Sequence, residues 1–272
     1  MDGYKIGSVS SVFGISNDTI RYYESRGIIT PKRDEESGYR YYDSWDINYL
    51  LDCLRFRSYD FPIAEIEQMI KSDDIDDVEQ KIRVREAALI AEVEEKRNIL
   101  KRIAHLRRSL YRIRTQLGEF VLEESPEMIW HPQREKIISE EGELLQGPGA
   151  KTVREWVRHM LFLEHTFLMP ALKDAQEFNE YSWGFSLSPQ KLQDLGLKMP
   201  KTAVYLPRYQ SIYTIFEAGD METFMPSIRE QVLDPVRAKG FRIANPPVGN
   251  LLVRVHENGK MRRYFEVWVP IE

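Results

Sequence analysis

The sequence predicts an α+β protein in three parts: a winged helix-turn-helix, one long helix suited to an antiparallel coiled coil, and a C-terminal domain of two strand-helix-strand-strand units. Three observations predict it. Two short helical patterns joined by Gly14-Ile15-Ser16 precede a small hairpin at Ser37-Gly38. Residues 75–117 contain neither proline nor glycine. Beyond residue 119, aromatic-rich alternating runs surround two amphipathic helical patterns. These shifts set expected boundaries at 1–74, 75–118 and 119–272.

At 272 residues and 42% hydrophobic content the chain can bury two cores. The net charge of -5 argues against a broadly basic coat, so any binding of nucleic acid must rest on local placement of charge. The single cysteine, Cys53, cannot form an internal disulfide. No basic-then-apolar leader opens the sequence and no apolar run approaches a membrane span, so a cytoplasmic location without a membrane partner is expected.

In order along the chain, Val9, Val12 and Phe13 share helical spacing, and Ser16 or Asn17 caps a second helix that Gly27 closes. Arg21, Tyr22 and Arg26 then lie on the surface of that helix. Lys32-Arg33 and Tyr39-Arg40-Tyr41 form the arms of the hairpin. Guanidinium groups neutralise phosphates and pair with guanine, and tyrosine hydroxyls bond backbone oxygens, so this cluster suits a duplex reader. The residues alone equally allow tyrosines packed beneath the helix with solvated arginines. Asp43 or Ser44 caps the next helix, which carries Ile47, Leu50, Leu51 and Leu54, and with Cys53 as a small buried thiol; Phe61-Pro62 separates it from a helix with Ile63, Ile66, Met69 and Ile70.

The proline-free stretch spans about 65 Å as one helix. Ile99, Ile103, Leu106, Leu110, Ile113 and Leu117 alternate steps of four and three, which predicts a coiled-coil seam and a homodimer. Acidic Asp73, Asp74, Asp76, Asp77 and Glu79 open the segment, and basic Lys101, Arg102, Arg107, Arg108, Arg112 and Arg114 end it, so antiparallel pairing sets acid against base. A solvated basic face is the alternative.

Thr19-Ile20-Arg21-Tyr22-Tyr23-Glu24, Gly27-Ile28-Ile29, Ser37-Gly38-Tyr39-Arg40-Tyr41-Tyr42 and Phe61-Pro62-Ile63-Ala64-Glu65-Ile66, in that order, resemble the DNA-binding domain of the MerR family of transcription regulators. The resemblance implies a regulator, expected to be an activator, that bends and untwists promoter DNA for RNA polymerase. It implies DNA contacts by Thr19, Arg21, Tyr22, Tyr39 and Arg40. Asp18 is a departure, since a carboxylate facing phosphate is unfavourable; a capping role is expected instead of a contact to a cytosine amino group.

Residues 119–126 read as a linker. Strands are expected at 128–138, 181–187, 202–206, 209–216, 251–256 and 261–269, with helices at 152–173 and 223–239, the second interrupted at Pro235. Asn258-Gly259 is a strong hairpin signal. This layout and the closing Tyr264-Phe265-Glu266-Val267-Trp268-Val269 resemble the GyrI-like effector domain found behind some MerR-type heads. Alternation puts Tyr264, Glu266 and Trp268 on one face, a carboxylate between rings that suits a lipophilic cation, and the resemblance makes Glu266 the pocket glutamate. Further candidate walls are Trp130, Phe162, Phe167, Tyr181, Trp183, Tyr205 and Tyr213, with Met160, Met169 and Tyr209 beside them.

No phosphate loop, nucleophile elbow or zinc-type histidine pair is present, so neither catalytic residues, nor a metal, nor a cofactor is expected. The expected function is a ligand-responsive transcription regulator sensing lipophilic small molecules, cationic drugs among them. The alternatives are a GyrI-like hydrolase using Glu266 and Tyr264, or a binder that sequesters drugs.

Overall fold

The computed structural model describes residues 3–132, 148–170, 178 and 180–272. The chain forms two compact units, Met1–Glu95 and Lys96–Glu272, so the long helix contributes to both.

The first unit opens with β1 (Tyr4–Lys5), α1 (Ile6–Phe13) and α2 (Asn17–Ser25). Ser16 caps α2, its hydroxyl accepting from the Thr19 amide at 3.0 Å. Asp18 is therefore not the cap; it stands in the first turn, where a carboxylate favours the helix dipole, and pairs with Arg21 at 3.1 Å. Gly27, at φ 64°, makes the left-handed exit. The wing is β2 (Lys32–Arg33) and β3 (Arg40–Tyr42), and β3 also pairs β1. Asp34 ties the loop by accepting from the Ser37 amide and hydroxyl.

A capping box of Asp43 and Asp46 starts α3 (Ser44–Ser58), and α4 (Ile63–Lys71) follows a break at Asp60, φ 63°. Val9, Ile20, Tyr23, Leu50, Cys53 and Ile66 are core. Val12 and Leu51, both expected on apolar faces, are exposed instead.

The long helix α5 runs Ile75–Gln116, with Asp74 capping its first turn and Asp73 paired to Lys81. Ile103, Leu106 and Leu110 are exposed along it, whereas Ile113 packs onto the sheet of its own unit and Leu117 lies beyond the helix, bridged to Ile215. Arg102 and Arg112 are likewise turned onto side chains of their own chain and are not part of a free basic face.

The second unit is an eight-stranded sheet in the order β4-β9-β11-β10-β6-β7-β5-β8. Its strands are β4 (Val121–Glu124), β5 (Met128–Pro132), β6 (Glu164–Leu168), β7 (Ser182–Leu187), β8 (Val204–Leu206), β9 (Gln210–Ala218), β10 (Val248–Glu257) and β11 (Lys260–Pro270). The strand-helix-strand-strand unit does occur twice: β5, α6 (Pro148–Val157), β6, β7, and then β9, the helical segment from Met221 to Ala238, β10, β11. In each unit the last strand lies between the other two, and the units meet where β6 pairs β10.

Several expectations are corrected. The supposed linker contains β4, which pairs along β9; its acidic residues sit on an exposed edge and so resemble a loop. The helix expected over 152–173 ends at Val157, and after a 3-10 turn (Met160–Phe162) the Glu-His-Thr-Phe-Leu run is strand β6, because Thr166, Phe167 and Leu168 find partners on β7 and β10. The expected strand past Pro132, and that helix past Pro170, lie outside the described residues. A short helix α7 (Pro189–Asp194), capped by Ser188, was not anticipated. The helical segment from Met221 divides into α8 (Met221–Ile228), a π-helical turn (Arg229–Leu233) and α9 (Asp234–Ala238), with Pro226 inside α8 and Pro235 in the first turn of α9.

Asn258 and Gly259 take positive φ, 52° and 75°, as a type I′ turn requires. Strand β10 approaches its neighbours so closely at Gly249 that a Cβ there would lie 2.6 Å from Phe167 Cζ and closer still to the Glu266 carbonyl oxygen. Gly249→Ala is therefore expected to cost about 2–3 kcal/mol in chemical denaturation, the scale of overpacking, whereas the same change at the open, exposed Gly7 should cost nothing of that kind.

Candidate nucleic-acid interface and effector cavity

Helix α2 buries Ile20 and Tyr23 and turns Arg21 and Tyr22 outward, with Thr19 half-buried at its start. The tyrosines divide accordingly: Tyr23 and Tyr42 are core, while Tyr22 and Tyr39 are exposed. Burial raises the Tyr23 and Tyr42 hydroxyls above the ordinary phenol range, and also raises the Cys53 thiol, which touches Tyr23. Cys53 is thus a packed thiol and not a reactive one.

Arg40 is less free than expected. Its Nε donates to both carboxylate oxygens of Glu24, at 2.8 and 3.1 Å, and Arg33 approaches the same carboxylate at 3.7 Å. Glu24 on α2 therefore clamps the wing to the second helix, leaving part of each guanidinium outward. Together Arg21, Tyr22, Tyr39, Arg33 and Lys32 form an exposed set of donors on one helix and its wing.

In the second unit, Glu266 stands in mid-strand on β11, opposite Asn250 on β10, which is opposite Thr166 on β6. Asn250 Nδ2 donates to Glu266 Oε1 at 2.9 Å, and Thr166 Oγ1 donates to Asn250 Oδ1 at 2.8 Å. Thr166 has one hydroxyl hydrogen, so Ser186, 2.5 Å away, donates to it. Tyr213 Oη donates to Glu266 Oε2 at 3.3 Å. Burial pushes the Glu266 carboxyl above its usual range; the Glu164 carboxylate adds to this, and the Asn250 bond, Arg112 and Tyr213 oppose it.

Glu266 and Asn250 form part of a cavity of about 530 Å³. Its rim also carries Glu123, Glu124, Glu127 and Glu164 against Arg112 and Arg208, with Met128, Pro126 and Trp268 as apolar cover. Trp268 Nε1 donates to Glu123 at 2.9 Å, and Arg102 pairs with Glu164. A concave site with this acidic excess favours a cation.

Of the aromatics expected to line a pocket, Trp268 does so, and Tyr213 lies behind Glu266. Trp130 is in the same buried layer, donating to the Thr166 carbonyl. Tyr264 is buried on β11 but does not line the cavity. Phe167, Tyr181 and Trp183 belong to the opposite, helix-covered face, where they pack with Phe216, Phe224 and Phe265, and Met169 joins them. Phe162 sits under Lys191, Tyr205 is an exposed ring bonded to Glu127, and Met160 is exposed. For Phe167 and Met169 the cause is that the expected helix is strand β6 and the residue after it, which sets both toward the helix-covered face. The residues missed are Asn250, Ser186 and Glu164, polar groups whose convergence depends on register between strands distant in sequence, and Arg112, which comes from helix α5.

A helix-turn-helix with a wing, both presenting arginine and tyrosine, defines a reader of duplex DNA. The pattern described as MerR HTH family regulatory protein matches residues 4–73. The regulator HmrR of Rhizobium leguminosarum bv. viciae is 32% identical over 108 residues, 37% of this chain and 83% of that protein. The transcriptional regulator BrlR of Pseudomonas aeruginosa is 34% identical over 73 residues, 26% of this chain and 27% of its own. A solved EcmrR-DNA complex aligns over 99% of both chains at 15% identity, with a TM-score of 0.39. This chain belongs to the MerR family of DNA-binding transcription regulators. Among the described residues no helix is long and apolar enough to cross a membrane.

The raised Glu266 carboxyl has a consequence for stability. Because its folded value exceeds the unfolded one, the protein is favoured while the group is protonated and loses that advantage as pH climbs from the unfolded value through the raised one. Relative to Glu266→Gln, the wild type is expected to fall in thermal midpoint across that rise, and a constant difference would contradict the assignment.

Proposed function

We propose that the protein is a homodimeric, effector-responsive regulator whose cavity at Glu266 binds an organic cation and whose α2 and wing grip promoter DNA. The observation that carries this reading is a buried carboxylate, held by Asn250 and Tyr213, in a drug-sized cavity with acidic walls. A cation entering it gains a desolvated partner in the Glu266 carboxylate. The walls are more polar than a purely lipophilic pocket, so charge contributes more to selection than ring stacking.

The exposed Ile103, Leu106 and Leu110 support pairing of α5 with a second copy, and Arg107, Arg108 and Arg114 remain available for the antiparallel charge match. Two copies would set two recognition helices at a fixed spacing, which a chain of net charge -5 needs in order to hold DNA. An effector that prefers one dimer geometry shifts the protein toward it, and with it the promoter on which RNA polymerase acts.

Two tests follow from these contacts. In calorimetry, a quaternary ammonium dye is expected to bind the wild type about 10–100-fold more tightly than Glu266→Gln, the range of a charge-assisted contact, while a neutral isostere distinguishes the two little; equal loss of both ligands would contradict a cation site. In footprinting on the protein's own promoter, Arg21→Ala is expected to weaken protection about tenfold or more, and Glu24→Gln, which releases Arg40, to weaken it without unfolding the unit. Unchanged protection in both would remove α2 and the wing from the interface.

A further inference from the structure

The cation seat is already taken. The Arg112 guanidinium lies 4.2 Å from the centroid of the Tyr213 ring, and Nη1 is 4.0 Å from Glu266 Oε2. Both groups meet at the cavity, where Arg112 is a lining residue about one-third exposed. Its Nε donates to Gln116 one turn along α5, at 3.0 Å, which orients the plane of the head group over the ring. Phenol face and carboxylate thus receive a flat, delocalised cation from the chain itself.

Resting on the cavity reading above, we infer that Arg112 is a tethered stand-in for the effector, which carries a planar amidinium or guanidinium group and binds by displacing Arg112 from Tyr213 and Glu266. A planar fork can pair with the carboxylate bidentately and lie flat on the ring as Arg112 does; a tetrahedral ammonium is attracted to the ring face but can do neither of these. While Arg112 covers the face of Tyr213 and stands against Glu266 Oε2, a second flat cation cannot take that same position. An effector therefore competes with a group of high local concentration, and its apparent affinity is reduced by the fraction of time the seat is occupied.

Displacement has a structural outlet. Arg112 belongs to the last turns of α5, where Ile113 packs on the sheet and Ser109 is buried. Removing the Arg112 anchor loosens the hold of the sheet on that end of the helix, and α5 is the element that continues into the first unit. Arg112 is thus a specificity-determining residue of the effector site and a means by which occupancy reaches the helix.

The experiment is a fluorescence titration of the full-length chain, without DNA, using the planar diamidine 4′,6-diamidino-2-phenylindole. Arg112→Met, which retains much of the side-chain volume, is expected to bind about tenfold more tightly than the wild type. Arg112→Lys, which keeps charge but loses the flat head, should fall between them and serves if the methionine variant does not fold. Dye binding that Glu266→Gln abolishes, with no gain or a loss in the Arg112 variants, overturns the displacement and leaves the cavity reading standing. Absence of binding in the wild type, in Arg112→Met and in Arg112→Lys, for this dye and for a tetraalkylammonium probe alike, removes both.

Discussion

A carboxylate in the middle of a β-sheet is the constraint on which the second unit depends. Leaving Glu266 charged and unpaired there would cost several kcal/mol, so the surrounding strands supply partners: Asn250 from β10, Tyr213 from β9, and behind Asn250 the hydroxyls of Thr166 and Ser186 from β6 and β7. The line of bonds crosses the junction of the two strand-helix-strand-strand units. It gives the sheet a polar seam exposed on one side to the cavity, while Phe167, Phe216 and Phe265 fill the other side under the helices. The same burial that makes Glu266 expensive to ionise makes it selective for a cation when it does ionise.

The DNA-binding unit solves the opposite problem, keeping positive side chains ordered on an acidic chain. Glu24 does this by accepting from Arg40 and approaching Arg33, fixing the wing against α2. A carboxylate near phosphate repels, but one already neutralised by two guanidinium groups spends its charge on geometry. Asp18 acts similarly toward Arg21 at the start of the helix. Few charges, held in place, substitute for a basic surface.

Much of the first unit was legible because its signals are local: a serine cap, a glycine exit, a capping box and the Ser37-Gly38 turn each act within a few residues. The C-terminal hairpin was legible for the same reason, and so was Glu266 on its alternating face. Its partner was not. An unbroken hairpin closing at Asn258-Gly259 sets Leu251 opposite Glu266; the bulge between Leu251 and Val253 shifts the register by one and brings Asn250 there instead. Nothing in the spacing of apolar residues announces that bulge. The run from Glu164 to Leu168 reads as helix for a related reason, since a short apolar stretch after a helix declares itself a strand only through Thr166 and Phe167 pairing with residues some eighty positions away. Arg112 read as one of a basic row on α5, and only the fold of the sheet beneath it turns that residue toward Tyr213.

A cation at Glu266 would reach transcription through one helix, α5. The most direct measurement is transcription in vitro from the protein's own promoter, with purified RNA polymerase, wild-type or Glu266→Gln protein, and a cationic effector added or withheld. Transcript yield is expected to change with effector for the wild type and to stay at the effector-free level for Glu266→Gln, both proteins occupying the promoter equally. An equal effector response from the two proteins would contradict the account.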